Sequence, residues 1–139
     1  MPEAWDRDQE IRDRMASSPF HSGMGIRVLD VREGEVDLAM EASGEHANLG
    51  GTLHGGVIAT LADTAAGLAV RSAIEPGSGH VTVNLDVQYL RAGALGTVEA
   101  QGRVVRAGRS IVFAEAEVTG QDGAVLARAQ VTVAISPPA

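Results

Sequence analysis

Apolar and polar positions follow different rhythms along this chain, and each rhythm predicts a different element. Between 5 and 17, Ile11 and Met15 stand four apart among charged residues. That is the spacing of a short amphipathic helix, which Trp5 opens and Pro19 stops. Two strands are predicted next, at about 24–31 and 35–40, around the turn Arg32-Glu33-Gly34. A loop rich in small residues then runs from 42 to 54. From 55 to about 74, Val57, Ile58, Leu61, Ala62, Ala65, Leu68 and Ala69 recur at three- and four-residue spacing. This predicts one long helix, apolar almost all round and therefore buried. Glu75-Pro76-Gly77-Ser78-Gly79 ends it with strong breakers.

After the breakers the period falls to two. Val81, Val83, Leu85, Val87 and Tyr89 alternate with Thr82, Asn84, Asp86 and Gln88, which puts Thr82 on the polar face of a strand. Three more strands are expected at about 97–107, 111–119 and 124–135. The order is helix, two strands, buried helix, four strands, in one α+β domain spanning 1–139. A sheet must curl to bury a helix, and the apolar surface left over needs a further cover, most simply a second copy of the chain. A homodimer is expected.

Composition narrows the chemistry. Apolar residues make up 45% of the 139, enough for a core, but aromatics only 3%, too few for the stacking platforms of nucleic-acid modules. The net charge of -7 also argues against nucleic acid and anionic membranes as partners. With no Cys, disulfides, thiol nucleophiles and thiolate metal sites are excluded. The histidines form no metal-binding motif, so neither a metal nor another cofactor is expected. No leader and no spanning segment is recognised, which makes the cytoplasm the expected location. The acid is unevenly spread: residues 87–113 hold one acid, Glu99, against Arg91, Arg103, Arg106 and Arg109. An anionic ligand could be held there, or these arginines are simply solvated.

One charge stands in the long apolar helix between 55 and 70, and it is Asp63. A carboxylate in such a place is costly unless it is partnered, so it is either a structural pair or a working group. Just before the helix stands Asn48-Leu49-Gly50-Gly51-Thr52-Leu53-His54-Gly55-Gly56. Unpaired N–H groups at a helix start suit a polarised carbonyl oxygen, and glycines let it approach. Gly55 and Asp63 lie about 12 Å apart along the axis at ~1.5 Å per residue, a gap that two chains could close between them. His21, His46 and His80 read as structural or solvated, and His54 as a residue that orients the loop. No serine elbow is present.

The run Asn48…Gly51-Thr52-Leu53-His54-Gly55-Gly56, followed by Ala59-Thr60-Leu61-Ala62-Asp63, resembles the signature of hotdog-fold thioesterases of the phenylacetate-pathway (PaaI) type. The strand from His80 to Leu90, the Gly102-Arg103…Gly108-Arg109-Ser110 region and the last strand match that layout, over about 19–135. The resemblance implies a long helix wrapped by an antiparallel sheet, paired into dimers and usually tetramers with sites at the dimer interface. It implies hydrolysis of an acyl-CoA with an aromatic or medium-chain acyl group. Gly55 N–H and Asn48 would polarise the carbonyl, and Asp63 of the partner chain would act as base or nucleophile. Thr82 would position the water, and His54 would support the loop. Gly56, Arg91, Arg109 and Ser110 would contact the substrate, the last three at the CoA phosphates. A hotdog-fold dehydratase and a non-catalytic acyl-CoA binding module are the alternatives.

Overall fold

The computed structural model describes residues 6–139. Helix α1 (Arg7–Ala16) is capped by the Asp6 side chain and buries Ile11 and Met15, as their spacing predicts; Trp5 lies outside the described residues. Pro19 does stop α1, but it also begins a second helix, α2 (Pro19–Gly23), in which Ser18 is the N-cap. Proline is well suited to the first helical position, where its missing N–H has no partner to lose. Strands β1 (Arg27–Arg32) and β2 (Glu35–Ala42) flank a turn at which Gly34 has φ +81°. A short 3₁₀ turn (Gly44–His46) lies in the following loop.

Helix α3 (Gly55–Ala73) is the long helix that the periodicity predicts. Strands β3 (Gly79–Tyr89), β4 (Gly96–Ala107), β5 (Ile111–Thr119) and β6 (Val125–Ser136) follow. All pairings are antiparallel, in the order β1-β2-β4-β5-β6-β3. Helix α3 touches every strand, so the sheet wraps it without closing. The molecule has the hotdog fold. The approach is tight at Gly102 on β4, where a Cβ would run into the Ala65 carbonyl oxygen.

Two expectations need correction. The face of α3 turned from the sheet is not broadly apolar: Gly56, Ala59, Thr60, Asp63, Thr64 and Gly67 lie there, exposed or half-buried. Exposed apolar side chains are found instead on other elements, among them β3, an edge strand, where Val81 and Val83 are 61% and 57% exposed.

The second correction concerns Thr82. Strict alternation would place it on the polar face with Asn84, but Thr82 pairs with Val133 while Asn84 pairs with Thr132. Val83 is an extra residue, a β-bulge, and it reverses the facing of everything before it. Thr82 therefore joins Leu85, Val87 and Tyr89 on the side that faces α3.

Candidate active site

The start of α3 is organised locally. The Asn48 carbonyl Oδ1 accepts the N–H groups of Gly50 (2.9 Å) and Thr52 (3.1 Å), and its amide Nδ2 donates to Thr52 Oγ1 (2.8 Å). Both ends of this amide are thus fixed, with one amide hydrogen to spare. His54 is the N-cap, and its Nδ1 accepts from Gly56 N–H at 2.8 Å. An imidazole nitrogen here does what a Ser or Asp side chain usually does at a helix start. Gly56 N–H is thereby occupied, and Gly55 N–H is the donor left without an acceptor among the described residues. Tyr89, at the end of β3, donates its hydroxyl to the Gly55 carbonyl at 2.7 Å. Sequence reasoning gave Tyr89 no role; its place on the inner face, opposite Ala127, brings it there.

Two turns on, Asp63 is half-buried on the face of α3 that the sheet leaves open. Thr82 Oγ1 donates to its Oδ1 at 2.7 Å. Two histidines read as isolated in the sequence also lie within the field of this carboxylate. Burial lowers the pKa of His21, against an opposing pull from Asp63. Burial, with Arg71 and Arg14 adding to it, lowers His80 to about 4, again with Asp63 pulling upward. His80 Nδ1 is buried with no hydrogen-bond partner. Both imidazoles are uncharged at neutral pH. His46 has the structural role expected of it, accepting the Ser43 N–H at 3.0 Å.

The remaining candidates are dispersed. Of the four arginines between 87 and 113, Arg103 pairs with Glu115, while Arg91, Arg106 and Arg109 are exposed and make no ion pair among the described residues. Arg91 follows the end of β3 where Tyr89 meets Gly55; Arg109 and Ser110 precede Ile111, which pairs with Ala134 across from Val81. The register separates the two groups by roughly 20–25 Å, at ~3.3 Å per residue. Within one chain Arg91 belongs to the Gly55 end and Arg109 to the Asp63 end.

A depression on the outer face of the sheet, about 940 Å³ and lined by Arg32, Asp86, Gln101 and Arg128 among others, lies on the side away from α3. Its arginines are engaged: Arg32 with Asp30, Glu35 and Asp37, and Arg128 with Glu117. Among the described residues no His, Cys, Asp and Glu cluster could hold a metal, and no helix is long and apolar enough to cross a membrane.

Residues 50–127 match the model of the thioesterase superfamily. The chain belongs to this family. The match covers the loop from Gly50 onward, α3 with Asp63 and strands β3 to β5, and it makes the protein a thioester hydrolase. Over 102 residues the chain is 43% identical to a Halobacterium salinarum protein whose name gives it as a candidate esterase, covering 70% of this chain and 67% of that one. It is 30% identical over 97 residues to human acyl-coenzyme A thioesterase 13, covering 69% of each. The PaaI protein of E. coli, from the phenylacetic acid degradation operon, superposes with a TM-score of 0.88 over 95% of this chain and 94% of that one; at 22% identity this speaks for the fold alone.

Proposed function

We propose that this thioesterase hydrolyses an acyl-CoA, or a related pantetheine thioester, in a site shared by two copies of the chain. One observation carries the reading: Asp63 is held by Thr82 on the open face of α3, while the unclaimed Gly55 N–H stands about 12 Å and roughly 80° around the same helix. One chain cannot grip one carbonyl with both. In an antiparallel pair joined along the exposed β3 edges, the Gly55 end of one copy meets the Asp63 end of the other. An edge strand of eleven residues on which Val81 and Val83 are exposed supports such a pairing.

In that site Gly55 N–H, with the spare amide hydrogen of Asn48, polarises the thioester carbonyl, and Asp63 takes a proton from the attacking water. Thr82 fixes the carboxylate, and His54 holds Gly56 so that the helix start stays open at Gly55. The same pairing brings Arg91 of one copy towards Arg109 and Ser110 of the other, a cationic rim for the CoA phosphates on an otherwise acidic protein. Phe20, 58% exposed on α2, and Met24 supply apolar wall for an aromatic or medium-chain acyl group. The motif order and the fold support the PaaI branch of the family, which also suggests a tetramer of two such dimers. The thioesterase domain, with its core over about 19–135, is proposed to work in the cytoplasm.

The test is thiol release from a panel of acyl-CoAs, followed with a thiol reagent. Turnover of an aromatic or medium-chain substrate is expected. Arg91→Ala and Arg109→Ala should raise KM for the CoA ester several-fold more than for a truncated pantetheine ester. No release from any acyl-CoA by the folded protein would overturn the reading. Equal KM effects on both esters would remove the arginines from it.

A further inference from the structure

The outer face of the sheet changes character along its length. One row across it runs from Arg103 through Glu115 and Gln130 to Asp86, and Arg103 pairs with Glu115 there. Towards the β4–β5 turn the next row runs from Arg106 through Phe113 and Thr132 to Asn84, and the last from Ile111 through Ala134 to Val81. Phe113 is 46% exposed, while its neighbours Val112 and Ala114 are buried, which fixes the ring on the outer side. Two bulges fall in this row. Val105 is the extra residue of β4 beside Phe113, as Val83 is of β3 beside Thr132, and both valines stand in solvent. Together Val81, Val83, Val105, Ile111 and Phe113 form an apolar shelf. Aromatic rings are scarce in this chain, two Phe, one Tyr and one Trp, so a Phe placed in solvent calls for a reason.

Free cations border the shelf. Arg106 stands directly across from Phe113, and Cβ atoms of such a pair are roughly 5 Å apart. Arg109 lies in the turn, two residues before Ile111. That turn is held by Gly108 N–H to the Ile111 carbonyl at 2.9 Å and by Ile135 N–H to the Ser110 carbonyl at 2.8 Å. Arg106 and Arg109 are exposed and make no ion pair among the described residues, whereas Glu115, the acid two residues along from Phe113, is taken by Arg103. An exposed ring with free guanidinium groups at its border suits a ligand that is flat, aromatic and anionic at once. A second copy seated here about a two-fold axis would double the unpaired cations at the contact.

We propose that this shelf holds the adenosine 3′-phosphate end of the CoA substrate, with the adenine ring against Phe113 and the 3′-phosphate on Arg106. This rests on the functional reading above and adds a site to it: the thioester lies inside the sheet against α3, and the nucleotide lies outside. The path is short. Thr82, which holds Asp63, pairs with Val133, and Val133 pairs with Val112. The inner face beside Phe113 is therefore two strands from Thr82, roughly 10 Å at ~4.8 Å per strand. The sheet ends just beyond Ile111, and the pantetheine arm rounds that end. Arg109 and Ser110, at the turn itself, meet the diphosphate midway.

The experiment uses the intact protein and two readouts. Adenosine 3′,5′-bisphosphate, titrated calorimetrically, should bind, and Phe113→Ala should weaken it about tenfold, within the range of base stacking on an aromatic side chain. Phe113→Trp, which keeps a flat ring, should restore binding. Arg106→Ala should weaken it several-fold and flatten its dependence on salt. Adenosine 5′-monophosphate, without the 3′-phosphate, should bind about tenfold more weakly, the worth of one charge-assisted contact. In turnover, Phe113→Ala should raise KM for an acyl-CoA about tenfold, and leave kcat and the KM of the matching pantetheine ester within about twofold.

Bisphosphate binding indifferent to Phe113 and Arg106 would overturn the site, and would leave the acyl-CoA reading standing if acyl-CoA is turned over. Equal affinity for the monophosphate would overturn the assignment to CoA. A changed oligomeric state in Phe113→Ala, with bisphosphate binding unchanged, would make the shelf a contact between copies and overturn the proposal as well. Bisphosphate binding that depends on Phe113, without turnover of any acyl-CoA, would uphold the nucleotide site and overturn the hydrolysis reading alone.

Discussion

The start of α3 and its middle carry the two halves of the candidate chemistry, and they are built in opposite ways. The start is made by near neighbours. His54 caps Gly56 two residues away, and Asn48 closes a turn with Gly50 and Thr52; the Tyr89 hydroxyl and the Gly93 carbonyl, which accepts Leu53 N–H, come from far along the chain. The middle is made by distant segments. Asp63 accepts from Thr82 across a separation of nineteen residues, and its charge is felt by His21 from α2 and His80 from β3. A locally built donor end tolerates change, because each bond closes a short loop. The Asp63 environment depends on how closely α3 sits against the sheet and on the register of β3.

The most disruptive way to break the middle is through the sheet. Gly102→Ala forces a Cβ into the Ala65 backbone, which has no flexible end to give way. A loss of about 3 kcal/mol, at the upper end for overpacking, is expected in urea unfolding, together with loss of activity. Asp63→Asn should keep the fold and reduce kcat at least about a hundredfold. Mixed with a Gly55-disabled chain, it should regain part of the activity, since each mixed dimer holds one intact site; verified exchange with no recovery would place both groups within one chain.

His80 sharpens the contrast through pH. Its pKa is about 4 in the fold against an ordinary 6.5, so the unfolded chain binds the extra proton first. Stability should be full above about 6.5 and fall as the pH drops towards 4. The expected loss is about 1–2 kcal/mol, discounted because the ring is part-exposed. His80→Gln should flatten that slope in urea midpoints taken across the range. The smallest effect belongs to the donor end: His54→Ala removes a cap and should cost about 1 kcal/mol, read as a shift of the urea midpoint.

The same contrast decides what could be read from the sequence. Helix α3, the hairpin of β1 and β2 and the last four strands follow from periodicity and breakers, because those signals are local. So does the prominence of Asp63, a lone charge in an apolar helix. The pull of its charge on His21 and His80 was not legible, since no local pattern links residues from α2, α3 and β3. Tyr89 carried no signal beyond its place in the alternation. Thr82 was assigned to the wrong face because a bulge leaves no mark in composition: Val83 looks like any other β-branched residue in a strand.

That bulge makes the length of β3 a variable in its own right. A ladder that took Val83 in, one residue to each partner, would leave every side chain in the strand chemically intact and would restore strict alternation. The hydroxyl of Thr82 would then turn outward with Asn84, and Val81 would turn inward. A strand without the bulge but with all its residues would leave the carboxylate of Asp63 without its donor, so here the irregular backbone, rather than any additional functional group, connects the sheet to the chemistry.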